Sequence, residues 1–387
     1  MKYKSLFLEK LKTHIIKKEN SLKTTPYRAI MELIYWCVKE LFKKQIINIQ
    51  PSDRIALCIL GGIGDICCNI SFIKAFTSKL SNNIQIDIYS TISPQTLKSL
   101  CYGINIQAMY LDYKILCNEK YICVLKCCRF PEVEYINDEL INEKIPTLLP
   151  ILEQYIYFQK ENYRYFWNGT TDDYLGNAYS MLHGLKRWQQ ADILHLLDVD
   201  ENIKIECELT ADNVLQKFNL SGRKYITLQR GIGEKGEATR CWPLENYEKL
   251  ATLLKQKYPD YILVQIGSET ASAIKNTDID LRGKTSFEEV KVLLRNAELH
   301  IDGEGGLVHL RHCLGGGKSV VIFGPTNKEF YGYDENINMQ SPVCSGCEWL
   351  TMNWQDKCPK GCTMCERFST ITLEMVMNEI EAKGLRR

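Results

Sequence analysis

Two short stretches of this sequence combine glycines with an acid in a way that suits chemistry on a phosphorylated ligand. They are Gly61-Gly62-Ile63-Gly64-Asp65 and Asp302-Gly303-Glu304-Gly305-Gly306. Glycine lets a backbone come close to a ligand, and the free amides at a helix start attract phosphate. His309, five residues beyond Glu304, falls about one turn into the helix expected there, where it could donate beside a bound anion. Asp65 closes the first turn. An acid at a helix start is either a cap or, in a cleft above a sheet, a base. Glycine turns at strand ends are common and a single helical His is more often structural, so neither stretch decides alone. Taken with its company elsewhere in the chain, the second turn is expected to hold a diphosphate-bearing ligand.

A third cluster is built from sulfur. Of 17 cysteines, twelve are scattered, and Cys58, Cys123 and Cys127 sit inside apolar runs where they pack as small hydrophobes. The other five follow the spacing Cys344-x2-Cys347-x10-Cys358-x3-Cys362-x2-Cys365. Two CxxC pairs supply four thiolates, the donor set of a closed Zn or Fe site. Free thiols and a disulfide are the competing readings, the disulfide being disfavoured in a reducing compartment.

The elements that must position these residues follow from the pattern of apolar runs. The chain has 387 residues, 45% apolar and 25% charged, with a net charge of +1. That is room for two globular domains and gives no global field for nucleic acid. No run has the apolar length to span a bilayer and the lysine-rich start lacks a signal-peptide core, which argues for the cytoplasm. Residues 1–45 carry eleven Lys or Arg against four Glu. There Tyr27–Lys44 reads as an amphipathic basic helix, which either lies on the inner face of the anionic cytoplasmic membrane or packs on the body of the protein.

Arg54–Leu60 is a buried strand entering the first glycine turn, with a helix over Ile66–Leu80 and strands at Ile84–Ser90 and Tyr121–Lys126. Gly62 and Gly64 have no third glycine at Cys67, so the nicotinamide fingerprint is weak. Helices follow at Ile145–Phe158, Asp173–Trp188 and Gln189–Leu197, and Tyr163–Trp167 is either an acceptor loop or core. A linker over 201–222 includes a charged strand, Ile203–Leu209. The alternation then repeats through strand Tyr225–Gln229, helix Glu245–Lys257, strand Tyr261–Ile266 and helix Ser286–Asn296. Strand Leu299–Ile301, the second glycine turn, a helix to Leu314, strand Ser319–Phe323 and a tail helix Thr372–Lys383 complete it. Two such series predict an α/β protein of two doubly wound domains facing across a cleft. The boundaries are 1–50 for a basic helical extension, 51–210 for the acceptor side, and 211–387 for the nucleotide-sugar side with the cysteine segment.

Four landmarks in this order resemble glycosyltransferase family 9, the ADP-heptose-dependent heptosyltransferases, over roughly Arg54–Lys383. They are LGGIGD ending in Asp65, Arg240-Cys241-Trp242-Pro243, Leu281–Val290, and EGGLVH (Glu304–His309) followed by VVIFGPT. The resemblance implies a GT-B fold and inverting, metal-independent transfer. Asp65 matches the family's base, and Arg240 stands where a Lys usually supports the leaving diphosphate. The donor-binding set it implies is Gly62, Gly64, Arg230, Thr285, Glu304, Gly305, Gly306 and His309. The family usually has Asp-Ser/Thr-Gly where this chain has Glu304-Gly305-Gly306, so the donor is ADP-heptose or another nucleotide sugar. The cysteine segment resembles the iron-bound finger of the autotransporter heptosyltransferases. On that likeness the ligands of a structural Fe or Zn are Cys344, Cys347, Cys358 and Cys365, with Cys362 spare.

The expected function is transfer of a heptose-like sugar to a surface-glycan acceptor (lipopolysaccharide, O-antigen or capsule). The alternatives are a protein O-heptosyltransferase, an epimerase of the same fold, and a metal-stapled binding module in a glycan-assembly complex.

Overall fold

The structure, a computed structural model, describes residues 53–80, 83–111, 120–127, 129–162, 170–200, 202, 204–230, 237–351, 354–362 and 367–385. The basic stretch Tyr27–Lys44, the Tyr163–Trp167 loop and Cys365 lie outside the described residues.

Two sheets form the frame. The first has the order β3-β2-β1-β4-β5. Its strands are β1 (Arg54–Ile59), β2 (Gln85–Ser90), β3 (Ile106–Tyr110), β4 (Cys123–Cys127) and β5 (Pro131–Ile136). β1, β2, β3 and β4 pair in parallel, and β5 joins antiparallel at the edge. Pro131 opens that edge strand, a position where a missing N–H does least harm to the ladder. The second sheet has the order β11-β10-β9-β6-β7-β8, parallel throughout. Its strands are β6 (Tyr225–Leu228), β7 (Ile262–Gln265), β8 (Ile279–Asp280), β9 (Leu299–Gly303), β10 (Ser319–Ile322) and β11 (Ile337–Met339). The central strands β1, β6, β9 and β10 are buried almost throughout, as strands covered on both faces must be.

Strand order reverses between β1 and β4 in one sheet and between β6 and β9 in the other. Open parallel sheets leave a crevice at the carboxyl ends of the strands at such a point. β1 and β9 each run into one of the glycine turns, so the topology sets both turns at the mouths of these crevices.

The helix after β1 runs Ile63–Ser78, three residues earlier than its expected start at Ile66. Asp65 therefore stands inside its first turn. Helix Leu149–Glu161 and helix Thr170–Leu182 replace the ranges expected there, and the Gln189–Leu197 helix is instead a 3₁₀ turn, Arg187–Asp192. The charged segment Ile203–Leu209 is not a strand in its described residues, although Ile205 is buried and donates its N–H to Cys313 O at 2.9 Å. Its alternating charges offer one anchoring residue and no sheet edge to join.

The halves are joined closely. Helix Ile63–Ser78 packs on helix Gly306–Leu314, and one apolar cluster runs from Ile55, Ile70 and Phe76 to Val292, Leu310 and Cys313. Beside it, the fully buried Lys291 ammonium donates to Ser99 O at 2.9 Å and to Glu288 Oε1 at 2.9 Å. Trp188 stacks on Tyr333 at 4.4 Å between ring centroids, and Tyr333 stacks on His312 at 3.6 Å.

Candidate active site

The glycines of the first turn are required for different reasons. Gly61 has φ +116°, and a Cβ there would meet Asp65 Oδ2 at 2.1 Å. A side chain would thus be strained and would collide with the acid. Gly64 is pressed from the other half: a Cβ would lie 3.0 Å from His309 Cδ2 and 3.3 Å from Gly306 Cα. The two turns touch, and helix Gly306–Leu314 begins at that contact with Gly305 as its extended cap residue.

Between them lies a cleft of about 700 Å³. Asp65, Arg240, Gly62, Gly64, Glu304, Gly305, Gly306 and His309 line it, bringing eight of the ten expected site residues to one place. Arg230 and Thr285 do not line it. Arg230 is turned toward Trp242 O at 3.2 Å and Ser272 Oγ at 3.2 Å, while its neighbour Gln229 faces the cleft. Thr285 follows Gly283, whose φ of +65° and tight approach to Glu269 carry the loop round beside the lining residues Ser268 and Ala271.

Asp65 is held at both oxygens. Gly62 N–H donates to Oδ2 at 2.9 Å and Arg187 Nη2 donates to Oδ1 at 2.9 Å. The arginine is buried, yet the carboxylate keeps 40% of its side-chain surface exposed. A carboxylate has about four lone-pair sites, so these two bonds leave room for a proton arriving from the cleft.

Glu304 is the opposite case, with only 8% of its side chain exposed. Arg240 donates to its carboxylate and to its backbone carbonyl, both at 3.2 Å, and His309 Nε2 lies 3.3 Å from Oε1. Burial works to raise the Glu304 pKa, but the His309 bond and the Arg240 charge prevail and hold it below the usual carboxylate value. Burial likewise works against a charge on His309, while Cys68 and Glu304 beside it lift its pKa well above the usual imidazole value. His309 Nδ1 also meets Tyr333 Oη at 2.8 Å and Cys68 Sγ at 3.7 Å, so this histidine ties the two halves together beneath the cleft.

Several lining residues escaped the sequence reading: Arg187, Asn177, Tyr331, Glu348, Trp349 and Trp354. Asn177 Nδ2 donates to Glu348 Oε1 at 3.1 Å and to Tyr331 Oη at 3.2 Å. Burial, with the Glu304 charge adding to it, pushes the Glu348 carboxyl up to about 8. No spacing rule marks Arg187. Glu348 and the tryptophans carried a signal only as part of the cysteine segment, where the cysteines drew the interpretation.

Of the expected metal ligands, three lie within the described residues. Among the described residues no three His, Cys, Asp or Glu side chains form a group that could hold a metal ion. Cys344, Cys347 and Cys358 are half-buried within an irregular segment that turns at Gly346 (φ +67°) and Gly361 (φ +78°). The fourth expected ligand, Cys365, is outside the described residues.

Two doubly wound sheets with their glycine turns meeting at one cleft have the architecture of the GT-B fold. Residues 181–363 match the family model described as Glycosyltransferase family 9 (heptosyltransferase), the family that the motifs resemble. Among solved structures, a glycosyl transferase family 9 protein from Veillonella parvula DSM 2008 is similar at 16% identity and a TM-score of 0.51. That match covers 87% of this chain and 98% of the other. The iron-containing dodecameric glycosyltransferase TibC from enterotoxigenic E. coli H10407 is similar at 14% identity and a TM-score of 0.52, over 87% of this chain and 79% of the other. The E. coli ADP-heptose lps heptosyltransferase II follows at 13% identity and 0.48, over 84% and 98%. No curated protein sequence matches the chain. Among the described residues no helix is long and apolar enough to cross a membrane.

Proposed function

We propose that the protein is an inverting heptosyltransferase that moves a heptose-like sugar from ADP-heptose to a hydroxyl of a surface-glycan acceptor. The observation that carries this reading is the shared cleft, with a half-exposed Asp65 on one side and Arg240 and the Gly306 helix start on the other. In the single displacement, Asp65 takes the proton of the acceptor hydroxyl as that oxygen bonds to the anomeric carbon. The bond from that carbon to the diphosphate oxygen breaks, and its electron pair leaves with the nucleoside diphosphate. Arg240 and the amides of Gly305 and Gly306 stabilise the charge that develops there. Arg187 holds the Asp65 carboxylate in place, and Glu304, itself bonded to His309, holds Arg240.

The test is a nucleotide-sugar panel with purified protein, reading nucleoside diphosphate release and product mass. Release from ADP-heptose that needs an acceptor, and is lost in Asp65→Ala, is the expected result. Release of a free altered sugar without acceptor would point instead to an epimerase.

A protein side chain is the second acceptor reading, favoured by the cysteine segment that borders the cleft. The product's mass on a glycan or on a polypeptide separates the two. The proposal also includes a structural Fe or Zn held by Cys344, Cys347, Cys358 and Cys365, which elemental analysis checks. Division of the chain at 50 and 210, and contact of the basic extension with the inner face of the cytoplasmic membrane, complete the reading.

A further inference from the structure

The segment between the paired cysteines faces the cleft. Its start is pinned to the loop after β10, where the N–H groups of Cys347 and Glu348 both donate to Pro325 O, at 3.0 and 3.2 Å. Its far end is tied to the turn that carries Arg240, through the Thr239 hydroxyl donating to Gln355 O. Between these pins, Glu348, Trp349, Trp354 and Gln355 line the same cleft as Asp65 and Glu304.

Three features show that this stretch does more than close a loop. Glu348 is 4% exposed, yet it lines the cleft and its carboxylate is oriented by Asn177. Trp349 has φ +60°, a left-handed backbone that bulky side chains rarely adopt, and such strain collects where a site needs a particular side chain. Trp354 is buried, lies 5.2 Å from the Trp349 ring, and supports the Arg240 guanidinium at 5.5 Å from its centroid. A carboxyl group fixed beside an indole, next to the arginine that meets the diphosphate, matches the two faces of a sugar. Hydroxyls need hydrogen-bond partners, and the C–H face packs on an aromatic ring.

We propose that Glu348 and Trp349, backed by Trp354, form the sugar-reading wall of the site, with Glu348 hydrogen-bonding a hydroxyl of the transferred sugar and Trp349 packing against its C–H face. This rests on the transferase reading above. A carboxyl group can bind a hydroxyl in either protonation state, as acceptor or as donor. Trp354 is a positioning residue that acts through Arg240.

The test is calorimetric titration of the intact protein with ADP-heptose and, separately, with ADP. Glu348→Ala and Trp349→Ala should each weaken ADP-heptose at least about tenfold and leave ADP within about twofold, because only the sugar meets this wall. Glu348→Gln, which keeps shape and hydrogen-bonding capacity, should recover most of the lost affinity. Unchanged ADP-heptose binding in both alanine variants, or parallel loss of ADP and ADP-heptose, overturns the wall. A parent that binds neither ligand sinks the transferase reading and the wall with it; a parent that binds both, with indifferent variants, sinks the wall alone.

Discussion

The two glycine turns solve the same local problem and end with acids of opposite character. After β1, Asp65 is half-exposed and held by one backbone amide and one buried arginine. After β9, Glu304 is buried between Arg240 and His309. Strand, turn and helix are common to both, so the local fold does not assign the roles. Exposure does. An acid with a free lone pair toward the cleft can receive a proton, whereas one enclosed by two cationic partners is an electrostatic anchor. Each acid is therefore read best from what surrounds it.

The sharpest way to break this comparison is to remove the first acid. Asp65→Ala should lower kcat by about 10²–10⁴-fold, the usual contribution of a general base, with ADP affinity retained in a binding titration. Substantial turnover in that variant would strip Asp65 of its role. On the proposed reaction, in which Arg240 stabilises the leaving group, Arg240→Ala should lower kcat/KM by about 10²–10³-fold and weaken ADP as well. Arg240→Lys should restore part of this, a point charge replacing a planar fork. Unchanged steady-state kinetics would refute the assignment.

Gly64→Ala tests the contact between the turns. The added Cβ must displace His309 or the Gly306 backbone, at a cost of about 1–3 kcal/mol. Denaturant titration should show the loss, while Gly62→Ala, whose Cβ meets nothing within 4 Å, should not.

The smallest effect is in pH. The folded pKa of Glu304 lies below its unfolded value, so its contribution to stability is present above about pH 4.5 and is lost as pH falls through the lowered value. His309 is shifted upward, so its contribution is full below about pH 6.5 and is lost as pH rises through the raised value. The Tm difference between the parent and Glu304→Gln should be largest between these limits and shrink in acid. A difference that grows on acidification would contradict the anchor role.

Sequence carried the turns because their glycines answer local demands: a positive φ at Gly61 and a close approach at Gly64 and Gly306. It carried the central strands because burial on both faces makes continuous apolar runs. Edge strands β3 and β5 were missed, since half-exposed residues leave a weak pattern. Arg187 was missed because its approach to Asp65 spans 122 positions and depends on how the intervening helices pack. Glu348 directly follows a CxxC pair whose spacing invites a metal and says nothing of a neighbour turned toward a cleft.

The apolar cluster shared by both sheets, with Lys291 sealed beside it, limits how this polypeptide can be dissected. Cutting the chain at the linker would leave each fragment with a raw greasy flank, and one of them with an ammonium that keeps Glu288 but loses its Ser99 acceptor. Neither piece should stay dispersed when produced alone. Mixing the pieces, or producing them in the same cell, should recover a nicked but working enzyme, held together by the surface that severing exposed.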